Sequence, residues 1–415
     1  MATPIPSAES WRIETVDSGG NLGLCTSLAL DALGNPRISY YAVDGHLKYA
    51  ARNGDTWQIQ TVDTASSTQT SLVFDGAGNP HISYGDFRAL KYAAWDGSTW
   101  HIQTIPNVTR FNDPSLALNA AGNPCISVGI QKDINSKLSY AYWDGSGWQV
   151  QTVDDHYGTG RDTSLALDSA GNPRISYSDS WNDDLKYAAW DGSTWQIETV
   201  DSDGRVGMYS SLALDSSGNP CISYYDVTNR DLKYAAWNGA HWQIQTVDSA
   251  GRVGYHPSLA LDAFDNPHIA YDDADFDTLK YAAWNGSVWE IQTVENVGDH
   301  VVDTSLALDP SGYPRIACYD MSSGVLRYVE FVVPEPSAMV LLGIGAIGLL
   351  CRAMHRRKAA IEMRSRTQRE CFLRATESRR IGPNTPAATR ILEEVADRTN
   401  CLLAANQRNG GGAGS

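Results

Sequence analysis

The chain has 415 residues, 42% of them hydrophobic, and a net charge of −16. The acidity is uneven: up to Cys351 there are 19 Lys+Arg against 42 Asp+Glu, and from Arg352 onward 13 against 6. So acidic a body lacks the basic stripe that a phosphate backbone requires and argues against a nucleic-acid partner, and seven cysteines without C-x-x-C or Cys/His spacing argue against a structural zinc site.

After a short leader, residues 1–10, the pattern W-x-I-x-T-V-D begins at Trp11 and returns at Trp57, Trp100, Trp148, Trp195, Trp242 and Trp289, every 43 to 48 residues. A period of this size marks a repeat whose units cannot bury their own apolar surface and must stack. In the unit from Ser211, the alternating run Ser211 to Asp215 reads as a strand, and Gly218-Asn219-Pro220 as a tight turn. Cys221 to Asp226 is a second strand, a polar loop leads to a third from Leu232 to Trp237, and Asn238-Gly239 turns the chain into a fourth, Trp242 to Val247. Four hairpin-linked strands in about 47 residues make one propeller blade.

The chain opens with a lone fourth-type strand, Trp11 to Val16, runs through six complete units, and ends on a unit with three strands, the last from Val325 to Val332. The total of twenty-eight predicts an all-β, seven-bladed propeller over 11–332, closed by the N-terminal strand joining the last blade, which leaves no sheet edge open. Cys25 and Cys318 fall in the first and last blades, neighbours in such a ring, but four isolated small thiols are the simpler expectation.

Beyond the ring stand Pro334-Glu335-Pro336, an apolar run from Ala338 to Cys351, and Arg352, His355, Arg356, Arg357 and Lys358. This order resembles the PEP-CTERM sorting signal of Gram-negative bacteria over residues 333–358. The resemblance implies export, transient anchoring in the inner membrane by a helix over 338–354, processing by an exosortase-type enzyme, and delivery to the cell surface or extracellular matrix. Basic residues after the run would keep the tail cytoplasmic, although the apolar stretch is short for a span of ~20 residues. Fifty-seven residues follow Lys358, where the family's signal normally ends the chain, and the first residues show no apolar secretion signal. The tail, 359–415, is basic, with one predicted helix from Thr385 and a Gly-rich flexible end.

Strand direction places the G-N-P and Asp-Gly or Asn-Gly turns on one face of the disc, which is monotonous, and the varied loops on the other. Just before the innermost strands of the varied face stand Cys25, Gln69, Asp113, Asp162, Tyr209, His256 and Asp303, one per blade. They are expected at the mouth of the central channel, with Asp113, Asp162, Tyr209, His256 and Asp303 as the ligand-binding candidates. A second series, Asp86, Asp179, Asp226, Asp273 and Asp320, ends the second strands and offers carboxylates for a cation or sugar hydroxyls. Local ion pairs with Lys91, Lys186, Lys233, Lys280 and Arg327 are the stronger expectation for it. Asp273, Asp275 and Asp277 have the alternating spacing that opens a calcium loop, without the Gly and distal Glu of an EF-hand; otherwise no cofactor is expected.

The aromatic-rich third and fourth strands resemble fucose-lectin-type propellers, a likeness at the level of fold. The turn Asp96-Gly97 between Trp95 and Trp100 is similar to the Asp-box of sialidases but lacks the residue between Asp and Gly, so no sialidase site is carried over. These readings favour a non-enzymatic surface or matrix protein binding a glycan or another protein. The alternative is a glycosidase, lyase or lactonase with His256 and Asp303 or Asp162 as an acid/base pair at the channel mouth.

Overall fold

A computed structural model of the chain describes residues 10–333, apart from short pieces at 20–21, 43, 65–66, 87, 110, 133–134, 295–296 and 299. The expected sorting segment, its helix and the basic tail lie outside the described residues, as do Pro334, Glu335 and Pro336.

Seven separate four-stranded antiparallel sheets form the seven blades. The last is built from Ser10–Asp17, Val325–Val332, Pro314–Asp320 and Val301–Leu308, in that order. The first strand of the chain pairs with the last, Trp11 opposite Phe331 and Glu14 opposite Tyr328. Across the seam, Arg52 of the first blade reaches Glu14 at 2.6 Å, and the Trp57 indole donates to Glu14 at 3.1 Å. Both chain ends of the ring are thus held by the same seam.

Each recurring residue of the repeat has a place between blades. The serine that opens each S-L-A-L-type segment accepts the backbone N–H of the corresponding leucine in the next blade. Leu72 donates to Ser27, Leu116 to Ser71, Leu165 to Ser115, Leu212 to Ser164 and Leu259 to Ser211, all at 3.0 Å. Leu306 to Ser258 and Leu28 to Ser305, at 2.9 Å, complete the circle. The fourth-strand tryptophan packs edge-on against the third-strand tyrosine of the preceding blade, as Trp242 does on Tyr187 (5.4 Å) and Trp11 on Tyr281 (5.5 Å). These seven contacts sit among buried Leu, Ile, Val and Ala clusters that lie between neighbouring sheets.

The aspartate of T-V-D joins blades as well. Asp201 accepts the Tyr224 hydroxyl (2.6 Å) and pairs with Lys233 (3.3 Å), both from the following blade. Asp17, Asp63, Asp154 and Asp248 receive Tyr40, Tyr84, Tyr177 and Tyr271 in the same way. Where the third blade packs on the second, all three partners are replaced together, by Pro106, Val128 and Ser139. Removing only one would have stranded a buried charge or hydroxyl.

The leucines are buried, and Ser→Ala takes away the acceptor of their amides. Ser211→Ala is expected to lower the free energy of unfolding by about 1–3 kcal/mol, measured by denaturant titration of the purified chain. A change within experimental error would show that the hydroxyl is dispensable between blades.

Candidate functional site

The seven mouth residues do converge, though not ahead of the innermost strands as expected. They lie inside strands that start earlier than the apolar runs indicate, such as Phe111–Leu118, Thr159–Leu167 and Val253–Leu261. At each of them the register with the second strand shifts, for example between Asn112 and Ser115 and between Tyr255 and Ser258. Cys25, Asp113, Asp162, Tyr209, His256 and Asp303 take left-handed backbone conformations there, with φ between 41° and 57°. Such bulges re-aim a side chain at the cost of a strained backbone. Here all seven side chains line one axial cavity of about 360 Å³.

Part of the ring is structural. The Asp303 carboxylate accepts the Cys25 N–H (3.2 Å), and Asp113 accepts the Asp162 N–H (3.0 Å). Gln69 does the same for the Asp113 N–H (2.8 Å), and its amide donates back to the Asp113 carboxylate. Each caps the bulge of the next blade. Gln69 shows that capping needs no charge, so the carboxylates bring a negative potential beyond that requirement.

Their charge is confined. Burial pushes Asp113 above the usual carboxylate range, and burial together with the Asp113 charge lifts Asp162 to about 7. Between Asp162 and Asp303 in blade order stand Tyr209 and His256, ring centroids 4.3 Å apart, with Tyr255 at 6.2 Å from Tyr209. His256 Nδ1 meets Asp272 at 2.8 Å, and its Nε2 is 3.8 Å from Asp303. Burial by itself would lower the imidazole's pKa, but the Asp272 hydrogen bond and the charges of Asp272, Asp303 and Asp162 outweigh it and raise it to about 9. Burial raises Asp272 to about 7, against the hydrogen bond and charge of His256, which hold it down. The Tyr209 hydroxyl is raised to about 12, by burial first and then by the carboxylates.

Asp272 escaped the sequence reading, which paired His256 with Asp303 or Asp162. It faces the bulge from the second strand, where Tyr41, Gly85, Gly129, Ser178, Tyr225 and Tyr319 stand in the other blades. Ser178 supports its own mouth residue similarly, donating to Asp162 at 3.3 Å. The signal was an acidic residue at a position otherwise small or aromatic.

The second series is buried, against the expectation of exposed rim pairs. Asp179 and Asp226 have no exposed surface, and Asp273 and Asp320 almost none. Each caps the loop that follows it, Asp226 through the Asn229 N–H and side chain, and pairs with the third-strand base, Lys233 at 3.1 Å or Arg327 at 3.2 Å. The side chain of Asp86 lies outside the described residues. The suggested calcium residues turn to different partners: Asp273 to Lys280, Asp275 to Arg252, and Asp277 to His300. Among the described residues, Asp154, Asp155 and His156 are the group close enough to share an ion, and Asp154 is already engaged by Tyr177 and Lys186. The four described cysteines, Cys25, Cys125, Cys221 and Cys318, are free thiols.

Residues 332–357 match the PEP-CTERM protein-sorting motif, which indicates export, membrane-associated sorting and exosortase-type processing. No curated protein matches the chain. In fold the ring is similar to an ulvan lyase of a polysaccharide lyase family, with a TM-score of 0.56, 14% identity, and coverage of 77% of this chain and 96% of that one. It is also similar to YCF48 bound to D1 peptide (0.52, 15%, 81% and 100%) and to the fucose-specific lectin of Aleuria aurantia (0.47, 17%, 66% and 95%). At such identities the likeness is one of fold.

Because the folded-state pKa of Asp162 lies above its unfolded value near 3.9, folding favours its protonated form, and its contribution to stability falls as pH rises from about 4 to 7. Asp162→Asn keeps an acceptor and removes the titration. The variant should therefore gain melting temperature over the parent at pH 8 and lose that advantage at pH 4; an equal difference at both would contradict the assignment.

Proposed function

We propose that the chain is an exported, non-enzymatic propeller that binds an extracellular glycan at the mouth of its central channel and acts at the cell surface or in the extracellular matrix. The observation that carries this reading is the mouth itself. Seven side chains of five kinds on one repeated backbone position meet in one cavity, so the site breaks the symmetry of the repeat. The carboxylates accept hydroxyl hydrogens, and the Tyr209 ring offers a flat surface for the C–H face of a pyranose. Concave sites with a few convergent polar groups are where ring folds bind.

A second reading rests on one contact. His256, gripped by the buried Asp272 and stacked near Tyr209, has the arrangement of an oriented acid/base group, as a propeller glycosidase, lyase or lactonase would need. The high pKa of His256 makes it a proton donor rather than a base at neutral pH.

The full chain, screened on a glycan array and with generic hydrolase and lyase substrates, separates the two. Binding that falls at least about tenfold in Tyr209→Ala supports the axial site; binding indifferent to Tyr209→Ala and His256→Ala removes it. Turnover lost in His256→Ala would favour the enzyme. For sorting, deletion of 333–358 should change the protein's fractionation from membrane to soluble, and retention in the membrane fraction would contradict an anchoring role for that segment.

A further inference from the structure

On the face expected to be monotonous, the third blade departs furthest from the repeat. In most blades the G-N-P face is closed by an ion pair between the aspartate that opens the turn and a base on the second strand. Asp31 holds Arg37 at 2.7 Å, Asp168 holds Arg174 at 2.7 Å and Asp309 holds Arg315 at 2.6 Å, while His81 and His268 stand in for the arginine opposite Asp75 and Asp262. In the fifth blade Cys221 replaces the base alone, opposite Asp215, and in the third blade both members are uncharged, Asn119 and Cys125. One position of the third strand changes with them: Tyr142 replaces the alanine found as Ala51, Ala94, Ala189, Ala236 and Ala283.

The result is a cavity of about 290 Å³ between the third and fourth blades, with no charged residue in its lining. Tyr142 stacks on Tyr140 with ring centroids 5.5 Å apart and planes 25° from parallel, and Trp190 closes the side of the fourth blade. Amide groups of Asn119, Asn172 and Gln151 line the remainder.

Gln151 supplies an independent observation. At five interfaces the fourth-strand indole N–H is accepted by the preceding blade's residue at this position, as Gln103 accepts Trp148 (2.8 Å) and Glu198 accepts Trp242 (3.2 Å). Trp11, Trp57 and Trp289 find Gln292, Glu14 and Gln245. Trp195 should find Gln151, yet its Nε1 is buried without a partner, while Gln151 lines the cavity and its side-chain amide has no hydrogen bond to another described residue. Trp100 is likewise unpaired. What sets the Trp195 interface apart is that the Gln151 amide, turned from the indole, keeps its donors and its acceptor free at the cavity wall for a ligand.

We propose that this cavity is a second binding site, for a single uncharged pyranose of a glycan. An apolar ring face fits against Tyr142 and Trp190, and ring hydroxyls match amides that both donate and accept. The absence of any charged lining residue sets this site apart from the acidic axial mouth. A carboxylated or sulfated sugar would enter a half-buried, uncharged pocket with no counter-ion and is disfavoured.

The full chain is titrated by saturation-transfer NMR with methyl glycosides of glucose, galactose, mannose and fucose, and with methyl glucuronide. The axial site is removed from the readout by working in the Tyr209→Ala chain: there at least one neutral glycoside should still bind, and the glucuronide should bind at least about tenfold more weakly. Adding Tyr142→Ala to that chain should abolish the remaining binding. So should the triple change Asn119→Asp, Cys125→Arg and Tyr142→Ala, which installs the arrangement of the fourth blade and so retains a packing the fold already accepts. Binding that survives the triple change in the Tyr209→Ala chain, preference of that chain for the glucuronide, or no binding of any neutral glycoside to it would each overturn the proposal. The difference between the parent and the Tyr209→Ala chain bears on the axial site alone.

Discussion

One serine hydroxyl accepting one backbone N–H from the next blade, repeated seven times without a gap, is the contact on which the propeller depends. Blades touch mainly through apolar clusters, which set distance but not register. The 3.0 Å hydrogen bond from Leu212 to Ser164, and its six counterparts, set the register of each innermost strand against its neighbour. The register then determines where the bulges fall, and the bulges determine where the mouth side chains point. Closing the circle requires a seventh blade complete to its outer strand, which is why Trp11 to Asp17 must lie on Val325 to Val332.

The blade count and the mode of closure were legible because both follow from counting. A period of about 47 residues and a missing strand at one end with a spare at the other admit few arrangements. The convergence of Cys25, Gln69, Asp113, Asp162, Tyr209, His256 and Asp303 was legible for the same reason, since equal repeat positions map to equal places. What sequence did not disclose was the bulge. A left-handed backbone at tyrosine or histidine carries no local signal, because the cause is a set of hydrogen bonds from the neighbouring blade, such as Ser210 Oγ to the Asp162 carbonyl at 2.8 Å. The burial of Asp179 and Asp226 was hidden likewise: their second partners, Lys186 and Lys233, also reach back to Asp154 and Asp201 of the previous blade.

The T-V-D aspartate illustrates how function and packing compete for the same residue types in a repeat. Read alone, a recurring Asp beside a recurring Lys and Tyr suggests a ligand ring. In the fold it is an interblade tie, and where the third blade packs on the second, Pro106, Val128 and Ser139 replace all three of its members together. Positions that keep the repeat pattern therefore serve the ring, and positions that depart from it mark candidate sites. The axial mouth and the Tyr142 cavity both satisfy this criterion, on opposite faces of the disc, one lined by carboxylates and the other without a charged side chain.

The most direct test of ring closure through the serine contacts is hydrogen–deuterium exchange at the amides of Leu28, Leu72, Leu116, Leu165, Leu212, Leu259 and Leu306. In the intact chain these amides should exchange slowly and at a common rate set by global unfolding. Deleting residues 1–17 should accelerate all seven together. Acceleration confined to Leu28 and Leu306, beside the deleted strand, would contradict a cooperative ring and show that each blade holds its own inner strand.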